Sequence, residues 1–338
     1  MVYFLSDSHL HNWSRLAQMD PSGVSTRLVE QIRVLAQFQK KLNKDNSVVF
    51  LGDWLHAQGK QINRDVYHLA YAAFEAISEN CKDFIVIPGN HDIFGSRIGV
   101  LRPLRKIAHI IDKPEIIEIG EDNFYCIPYT EDREQFRGML NYLGGREGSK
   151  ILCSHIGVRG AVAGLVEYMV KEPILPQDIL DVVDIAILGH HHKHQTIANH
   201  IHYVGSPYQI DFSEMGIAKG YVRWTDHVEF CVLDGPQFWV VIIKSPEDLE
   251  KFRENQRDDH YYKLIIKTKK VTDKGLNFGP NIVVEKDIKR RTTPRVQARV
   301  DDAESLINYY VENTQTDLDK DIIKKKAIEM YQKRREEV

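Results

Sequence analysis

Residues 84–92 read Phe-Ile-Val-Ile-Pro-Gly-Asn-His-Asp. Four apolar residues run unbroken into proline and glycine, and the chain then turns at once to an amide, an imidazole and a carboxylate. A continuous apolar run bounded by turn residues reads as a strand buried on both faces. The polar residues behind it belong to the loop at its carboxyl end.

The same arrangement recurs along the first 192 residues. Val2–Leu5 leads into Ser6-Asp7-Ser8-His9. Val48–Leu51 leads into Gly52-Asp53, with His56 three residues on. Ile151–Cys153 leads into Ser154-His155, and Ile185–Leu188 into Gly189-His190-His191-His192. Tyr203–Val204 makes a further short run. Helical spacing lies between them, in Leu28, Ile32, Leu35, Phe38 and Leu42, with Ser25 as cap, and in Leu69, Ala73 and Ile77. Alternation of strand and helix predicts an α/β core.

In an open α/β sheet, ligands bind outside the carboxyl ends of the strands. Five such ends carrying Asp, Asn and His converge on one crevice. Carboxylate and amide oxygens with imidazole nitrogens suit divalent ions of intermediate hardness, Mn²⁺ or Fe²⁺, and also Zn²⁺. A carboxylate shared between two ions gives the geometry of two-metal phosphoryl hydrolysis. Alternate residues of an extended segment point the same way. Asp7 and His9 therefore reach one cluster, as do His190 and His192, while His191 points elsewhere.

Composition narrows the remaining classes. Of 338 residues, 43% are hydrophobic and 28% charged, which excludes a disordered, collagenous or coiled-coil chain. No apolar run approaches the ~18–20 residues that span a bilayer. The opening MVYFLSDSHL reads as a strand and not as a signal peptide. Cys81, Cys126, Cys153 and Cys231 show no paired spacing and read as buried small side chains in a reducing, cytoplasmic compartment. A net charge of −3 means that any polyanion must be met by metal or by a local patch.

After about residue 230 the texture changes. Phe238–Ile243, a polar helix at Pro246–Asn255, and Tyr261–Lys267 read as a small α+β unit. Residues 285–300 carry Lys286, Lys289, Arg290, Arg291, Arg295 and Arg299 against Glu285 and Asp287. That run is either a solvated face or a DNA backbone contact. Two helical stripes close the chain. One is Leu306, Ile307 and Tyr310; the other is Leu318, Ile322, Ile323, Ala327, Met330 and Tyr331. Thr316 with Asp319 caps the second.

The ordered set Asp7-x-His9, Gly52-Asp53, Gly89-Asn90-His91-Asp92, His155 and Gly189-His190-x-His192 resembles the calcineurin-like metallophosphoesterase superfamily. The resemblance implies a β-sandwich flanked by helices, with a small α+β capping domain and C-terminal helices. It implies one ion held by Asp7, His9, Asp53 and His192, and a second held by Asp53, Asn90, His155 and His190. His91 would be the general acid or stabilise the phosphate, oriented by Asp92. Serine/threonine phosphatases usually show Gly-Asp-x-x-Asp-Arg-Gly and Gly-Asn-His-Glu. Gly52-Asp53-Trp54-Leu55-His56 and the terminal Asp92 are instead similar to the DNA-repair nuclease subunits of the SbcD and meiotic-recombination-eleven type. So is Val204-Gly-Ser-Pro-Tyr-Gln-Ile-Asp-Phe-Ser-Glu214 with Lys219-Gly-Tyr221. His56 would match that family's extra histidine near the scissile phosphate.

This resemblance implies a nuclease domain over residues 1–232 and a capping, DNA-binding unit over 233–300. Helices over 301–338 would dock an SMC-like ATPase of the SbcC type, the alternative being that they pack on their own domain. It implies exo- or endonuclease action on DNA in recombination and repair, homodimerisation, no membrane, and nucleoid association in a bacterium. The expected cofactor is two divalent ions, Mn²⁺ first, with Mg²⁺, Fe²⁺ or Zn²⁺ as alternatives. One rival reading is a metallophosphoesterase for cyclic nucleotides, dinucleotide polyphosphates or phosphoproteins. The other is a non-catalytic scaffold, which the complete ligand set disfavours. Trp13 and Tyr208 are candidates either to line the substrate groove or to pack in the core or at its rim.

Overall fold

The computed structural model describes residues 1–57, 62–93, 99–145, 147–164, 168–169, 172–271, 276, 278–287, 303–312, 314, 316 and 318–336. It divides into two compact units, Met1–Asp287 and Ile288–Val338. The first begins β1 (Val2–Leu5), α1 (Thr26–Gln39), β2 (Ser47–Phe50), α2 (Arg64–Glu79), β3 (Asp83–Val86), β4 (His109–Ile110), β5 (Glu115–Ile119) and β6 (Asp122–Ile127). It continues with α3 (Arg133–Leu143), β7 (Ser149–His155), β8 (Val162–Ala163), β9 (Tyr168–Met169), α4 (Pro176–Leu180), β10 (Ile185–Gly189), β11 (Gln195–Ile197) and β12 (Ile201–Tyr203). Then come β13 (Gly220–Trp224), β14 (Val228–Val232), β15 (Phe238–Ile243), α5 (Pro246–Asn255), β16 (Tyr261–Ile266) and β17 (Ile282–Lys286). The second unit holds α6 (Ala303–Glu312) and α7 (Lys320–Glu336).

Two six-stranded sheets form the main body, in the orders β14-β13-β1-β2-β3-β4 and β11-β12-β10-β7-β6-β5. The ligand-bearing strands are central, and β1-β2-β3 and β7-β10 run parallel, while β1 is antiparallel to β13 on its other side. Period-two alternation decides what each strand packs against. In β1, Val2 and Phe4 face the second sheet and join Phe124, Cys126, Ile151, Cys153 and Ile187 between the layers. Tyr3 and Leu5 face the other way, onto Leu28, Leu35 and Phe38 of α1. The second sheet does likewise: Tyr125, Leu152 and Leu188 pack on Phe136 and Leu140 of α3 and Ile179 of α4. Every central strand is buried on both faces, as its unbroken apolar run requires. The result is the expected mixed α/β sandwich flanked by helices, and Cys81, Cys126 and Cys153 are buried free thiols.

Helix ends follow their cap residues. Ser25 Oγ accepts the Leu28 N–H at 3.2 Å. The inner stripe of α2 is Val66, Ala70, Phe74 and Ile77. That differs from the predicted Leu69-Ala73-Ile77 stripe, because Phe74 wedges between Phe50 and Phe84 and sets the helix rotation. Leu69 and Ala73 are only partly buried.

The small sheet β15-β16-β17 is wholly parallel and covers one face with Leu249 and Phe252 of α5. Ser245 and Asp248 form a reciprocal capping box at the start of α5. The sheet meets the loop after β1 through Leu16, Phe238 and Tyr261. Arg27 lies 5.2 Å from the ring centres of Trp13, Phe238 and Tyr261.

In the second unit, Asp319 Oδ1 caps α7 by accepting the Asp321 N–H at 2.9 Å, and Lys324 pairs with Glu312. Of the basic run, Lys289, Arg290, Arg291, Arg295 and Arg299 lie outside the described residues. Among the described residues, no helix is long and apolar enough to cross a membrane.

Candidate metal centre

The five loops meet at the carboxyl ends of β1, β2, β3, β7 and β10. The Asp7 N–H donates to Gly52 O at 2.9 Å, and the His9 N–H to Asp53 O at 2.9 Å, so the first two loops run side by side. The second and third loops approach so closely that glycine is required. A Cβ on Gly89 would lie 2.2 Å from Asp53 Oδ1. A Cβ on Gly52, whose φ is +90°, would lie 2.6 Å from Gly89 N and from His155 Nδ1.

The backbone at the ligand positions departs from the expectation. Asp7 (φ 52°), His9 (φ 40°), Asp53 (φ 59°) and His190 (φ 96°) are left-handed and not extended. Such conformations cost about 1–3 kcal/mol each and cluster at functional sites. The side chains still converge, because hydrogen bonding between loops, and not strand alternation, aims them. His191 points away as predicted, with its ring edge-on to Tyr203.

Asp53 stands at the centre. Its Oδ2 is 3.3 Å from His9 Nε2 and 3.4 Å from His155 Nε2. On one side, His9 Nε2 is 3.0 Å from His192 Nε2 and 3.9 Å from Asp7 Oδ1. On the other, Asn90 Oδ1 is 3.1 Å from His155 Nε2 and 3.2 Å from His190 Nδ1. The structure thus brings Asp7, His9, Asp53, Asn90, His155, His190 and His192 together, with Asp53 beside His9 on one side and His155 on the other. Asp7 is 0% and Asp53 2% exposed. Asn90, His91 and His190 are half-buried and open the cluster to the cleft.

Electrostatics fit a cation. Burial would raise the Asp53 carboxyl, but His155, His9 and His91 outweigh it and hold the group far below the usual carboxylate range. Burial, with His192, His91 and His56 nearby, drives His9 well down, so its ring is neutral. Burial alone would lower His155, yet the Asp53 carboxylate lifts it to about 9. Two imidazole nitrogens 3.0 Å apart beside two carboxylates must share a proton or a cation. Hard oxygens with borderline nitrogens match a divalent ion. The His155 Nδ1–H donates to Leu51 O at 2.6 Å, turning Nε2 inward.

One predicted role changes. Asp92 does not reach the His91 ring. Its carboxylate accepts the N–H groups of Asp53 (2.7 Å), Trp54 (3.1 Å) and Gly89 (2.9 Å), so it clamps the second and third loops together. A full set of amide donors from the turning backbone outcompetes a neighbouring ring. His91 is tied instead through its own N–H to Asp53 Oδ1 at 2.8 Å, and its buried Nδ1 has no hydrogen-bond partner among the described residues. Tyr208 does not line the cleft over the cluster and packs in the core instead, the other place expected for it. It is 1% exposed and donates to Ser8 O.

His56 Nδ1 lies 3.4 Å from His9 Nδ1, and its ring is 5.0 Å from that of His91 and 4.9 Å from Trp13. Trp13, His56, His190, His192 and Lys219 line a cleft of about 500 Å³ over the cluster. Sequence reasoning missed Glu172, which faces His190 and His191, and gave Glu214 no role at His192. Glu214 stood within the quoted stretch after β12, but nothing local marked its target.

A family model described as calcineurin-like phosphoesterase matches residues 1–218. Among solved structures, a dimetal phosphatase from Danio rerio is similar. It shares 12% identity, covers 65% of this chain and 90% of that chain, and has a TM-score of 0.38. A likeness of that degree fixes nothing about the activity of this chain.

Proposed function

The chain belongs to the calcineurin-like phosphoesterase family, and from that premise we propose a metal-dependent DNA nuclease subunit of the SbcD type, which hydrolyses phosphodiester bonds with an SMC-like ATPase as partner. The observation that carries this reading is the position of His56. A further imidazole outside the two ligand sets faces His9 and His91 at the mouth of the cleft, as the Gly-Asp-x-x-His form of the second motif leads one to expect.

Asp7, His9, Asp53 and His192 would hold one ion, and Asp53, Asn90, His155 and His190 the other. Bound there, the ions neutralise phosphate charge and lower the pKa of water. The rest falls to the protein. His56 hydrogen-bonds a non-bridging oxygen. Burial keeps His91 low and neutral in the free protein. An anionic phosphodiester beside it favours the protonated ring, which then gives its proton to the leaving ribose oxygen. Trp13, beside His56, offers a face on which a base can stack.

Two further features support the partner and substrate. The parallel sheet β15-β16-β17 adjoins the Trp13 loop through Arg27, a place to meet the duplex flanking the cut. In the second unit, Leu306, Ile307, Tyr310, Val311, Ile323 and Ala327 line an apolar groove of about 600 Å³. Leu318, Ile322 and Met330 are also well exposed. Uncovered apolar surface of this kind marks an interaction site, and we assign it to the coiled coil of the ATPase.

The test is hydrolysis of linear double- and single-stranded DNA with Mn²⁺, beside bis-p-nitrophenyl phosphate and a cyclic nucleotide. DNA cleavage that disappears in Asp53→Ala supports the nuclease. Hydrolysis of the small esters alone, with DNA untouched even after the ATPase is added, moves the chain to the small-substrate branch. Deleting residues 301–338 should abolish capture of the ATPase and spare cleavage of the simple diester. Full-affinity capture by the truncated chain refutes the docking assignment.

A further inference from the structure

The two outer histidines of Gly189-His190-His191-His192 turn opposite nitrogens toward the ligand cluster. His192 directs Nε2 at it, and its Nδ1 lies 2.7 Å from Glu214 Oε1. His190 is reversed: Nδ1 lies 3.2 Å from Asn90 Oδ1, and Nε2 faces Glu172 Oε1 at 3.8 Å. A neutral imidazole carries one proton, and only its bare nitrogen accepts a cation. The two rings therefore need opposite tautomers, and the motif itself does not say which.

The geometry points to Glu214, held in place by Lys219, as the positioning residue that fixes the tautomer of His192. This rests on the two-ion reading above. Glu214 Oε2 is already engaged by the Ile210 N–H at 2.6 Å and Lys219 Nζ at 3.1 Å. Lys219 Nζ also donates to His192 O at 2.8 Å and to Ser206 Oγ at 2.8 Å. Glu214 and Lys219 are each 6% exposed. A buried ion pair of this kind is tolerable only when its lone pairs and protons are satisfied, and here they are. Only Oε1 is left for His192, and it accepts. Nδ1 must carry the proton, and the Nε2 lone pair is left facing His9 and Asp7. Glu172 stands in the same relation to His190 at longer range.

Glu214→Gln tests this without changing shape. Two donors, Ile210 N–H and Lys219 Nζ, hold the amide oxygen where Oε2 was. The amide NH₂ then faces His192 Nδ1, which must become the acceptor. The proton moves to Nε2 and blocks the cation. In metal-free protein at mildly alkaline pH, long-range ¹H–¹⁵N NMR should show His192 protonated at Nδ1 in the wild type and at Nε2 in Glu214→Gln. Calorimetry with Mn²⁺ should show one of two sites weakened roughly 10–100-fold, the scale for a lost partner behind a ligating histidine. The other site stays within twofold, as a general loss of structure would not allow. Lys219→Met, which keeps the carboxylate, should retain the Nδ1–H tautomer. An Nε2–H signal from wild-type His192 overturns the assignment on its own, whether or not the variant folds. So does wild-type Mn²⁺ affinity at both sites in Glu214→Gln. Wild-type protein with the Nδ1–H tautomer that takes up no Mn²⁺ refutes the two-ion reading and upholds the role of Glu214.

Discussion

The carboxylate of Asp92 accepts the backbone N–H of Asp53 at 2.7 Å. The residue that closes the third motif thereby holds in place the residue at the centre of the second. Replacing Asp92 with Ala strands three buried amides, at about 1–3 kcal/mol for each donor left unpaired. Denaturant unfolding of the metal-free variant should show a loss of about 3 kcal/mol or more, together with weaker Mn²⁺ binding. A loss below about 1 kcal/mol would show that the clamp contributes little.

Asp53 Oδ2 is within 3.4 Å of imidazoles from both ligand sets. Asp53→Asn keeps an oxygen but removes the charge. Diesterase turnover should fall on the order of 10²-fold or more, the scale for losing one electrostatic stabiliser. Calorimetry should find both ions weakened and not one alone. Loss confined to a single ion would deny Asp53 its shared role.

Gly89→Ala places a methyl group 2.2 Å from Asp53 Oδ1 and 2.5 Å from Asp53 N. Overpacking of this kind costs about 1–3 kcal/mol. The ligand must also swing out of line, so Mn²⁺ affinity should drop with stability. Unchanged titration and unfolding curves would contradict the close approach of the two loops.

Burial lowers His155, but Asp53 and the Leu51 carbonyl raise it to about 9. At neutral pH the ring is therefore protonated in metal-free protein, whereas a metal ligand must be neutral. Ion uptake should release close to one proton. Apparent affinity should rise with pH, by up to about tenfold per unit, until pH approaches about 9. Calorimetry in buffers of different ionisation heat measures this directly; a heat independent of buffer would mean that no proton leaves.

The five motifs could be read from the chain because strand and ligand are adjacent in it: an apolar run, a turn, then the chemistry. Their convergence needed only strand polarity. The hairpins Glu115–Ile127 and Gly220–Val232 escaped notice because charged residues break three of their strands, at Glu118, Arg223 and Glu229; Phe124–Ile127 is an unbroken run that went unread. The position of Glu214 opposite His192 was hidden for another reason. It depends on a short turn at Phe212–Glu214 folding back across the cleft, and 22 residues separate the pair. The left-handed backbone at Asp7, His9, Asp53 and His190 was equally invisible: Asp and His enter that region more readily than most residues, but nothing in the motifs marks where they do so.

That backbone sets heat resistance against chemistry at the same few positions. Glycine would adopt each of these conformations with little strain, so a library sorted only for survival at high temperature should enrich Gly at 7, 9, 53 and 190. The winners would be robust and inert, and selection on stability alone would erase the catalytic centre one relaxed residue at a time.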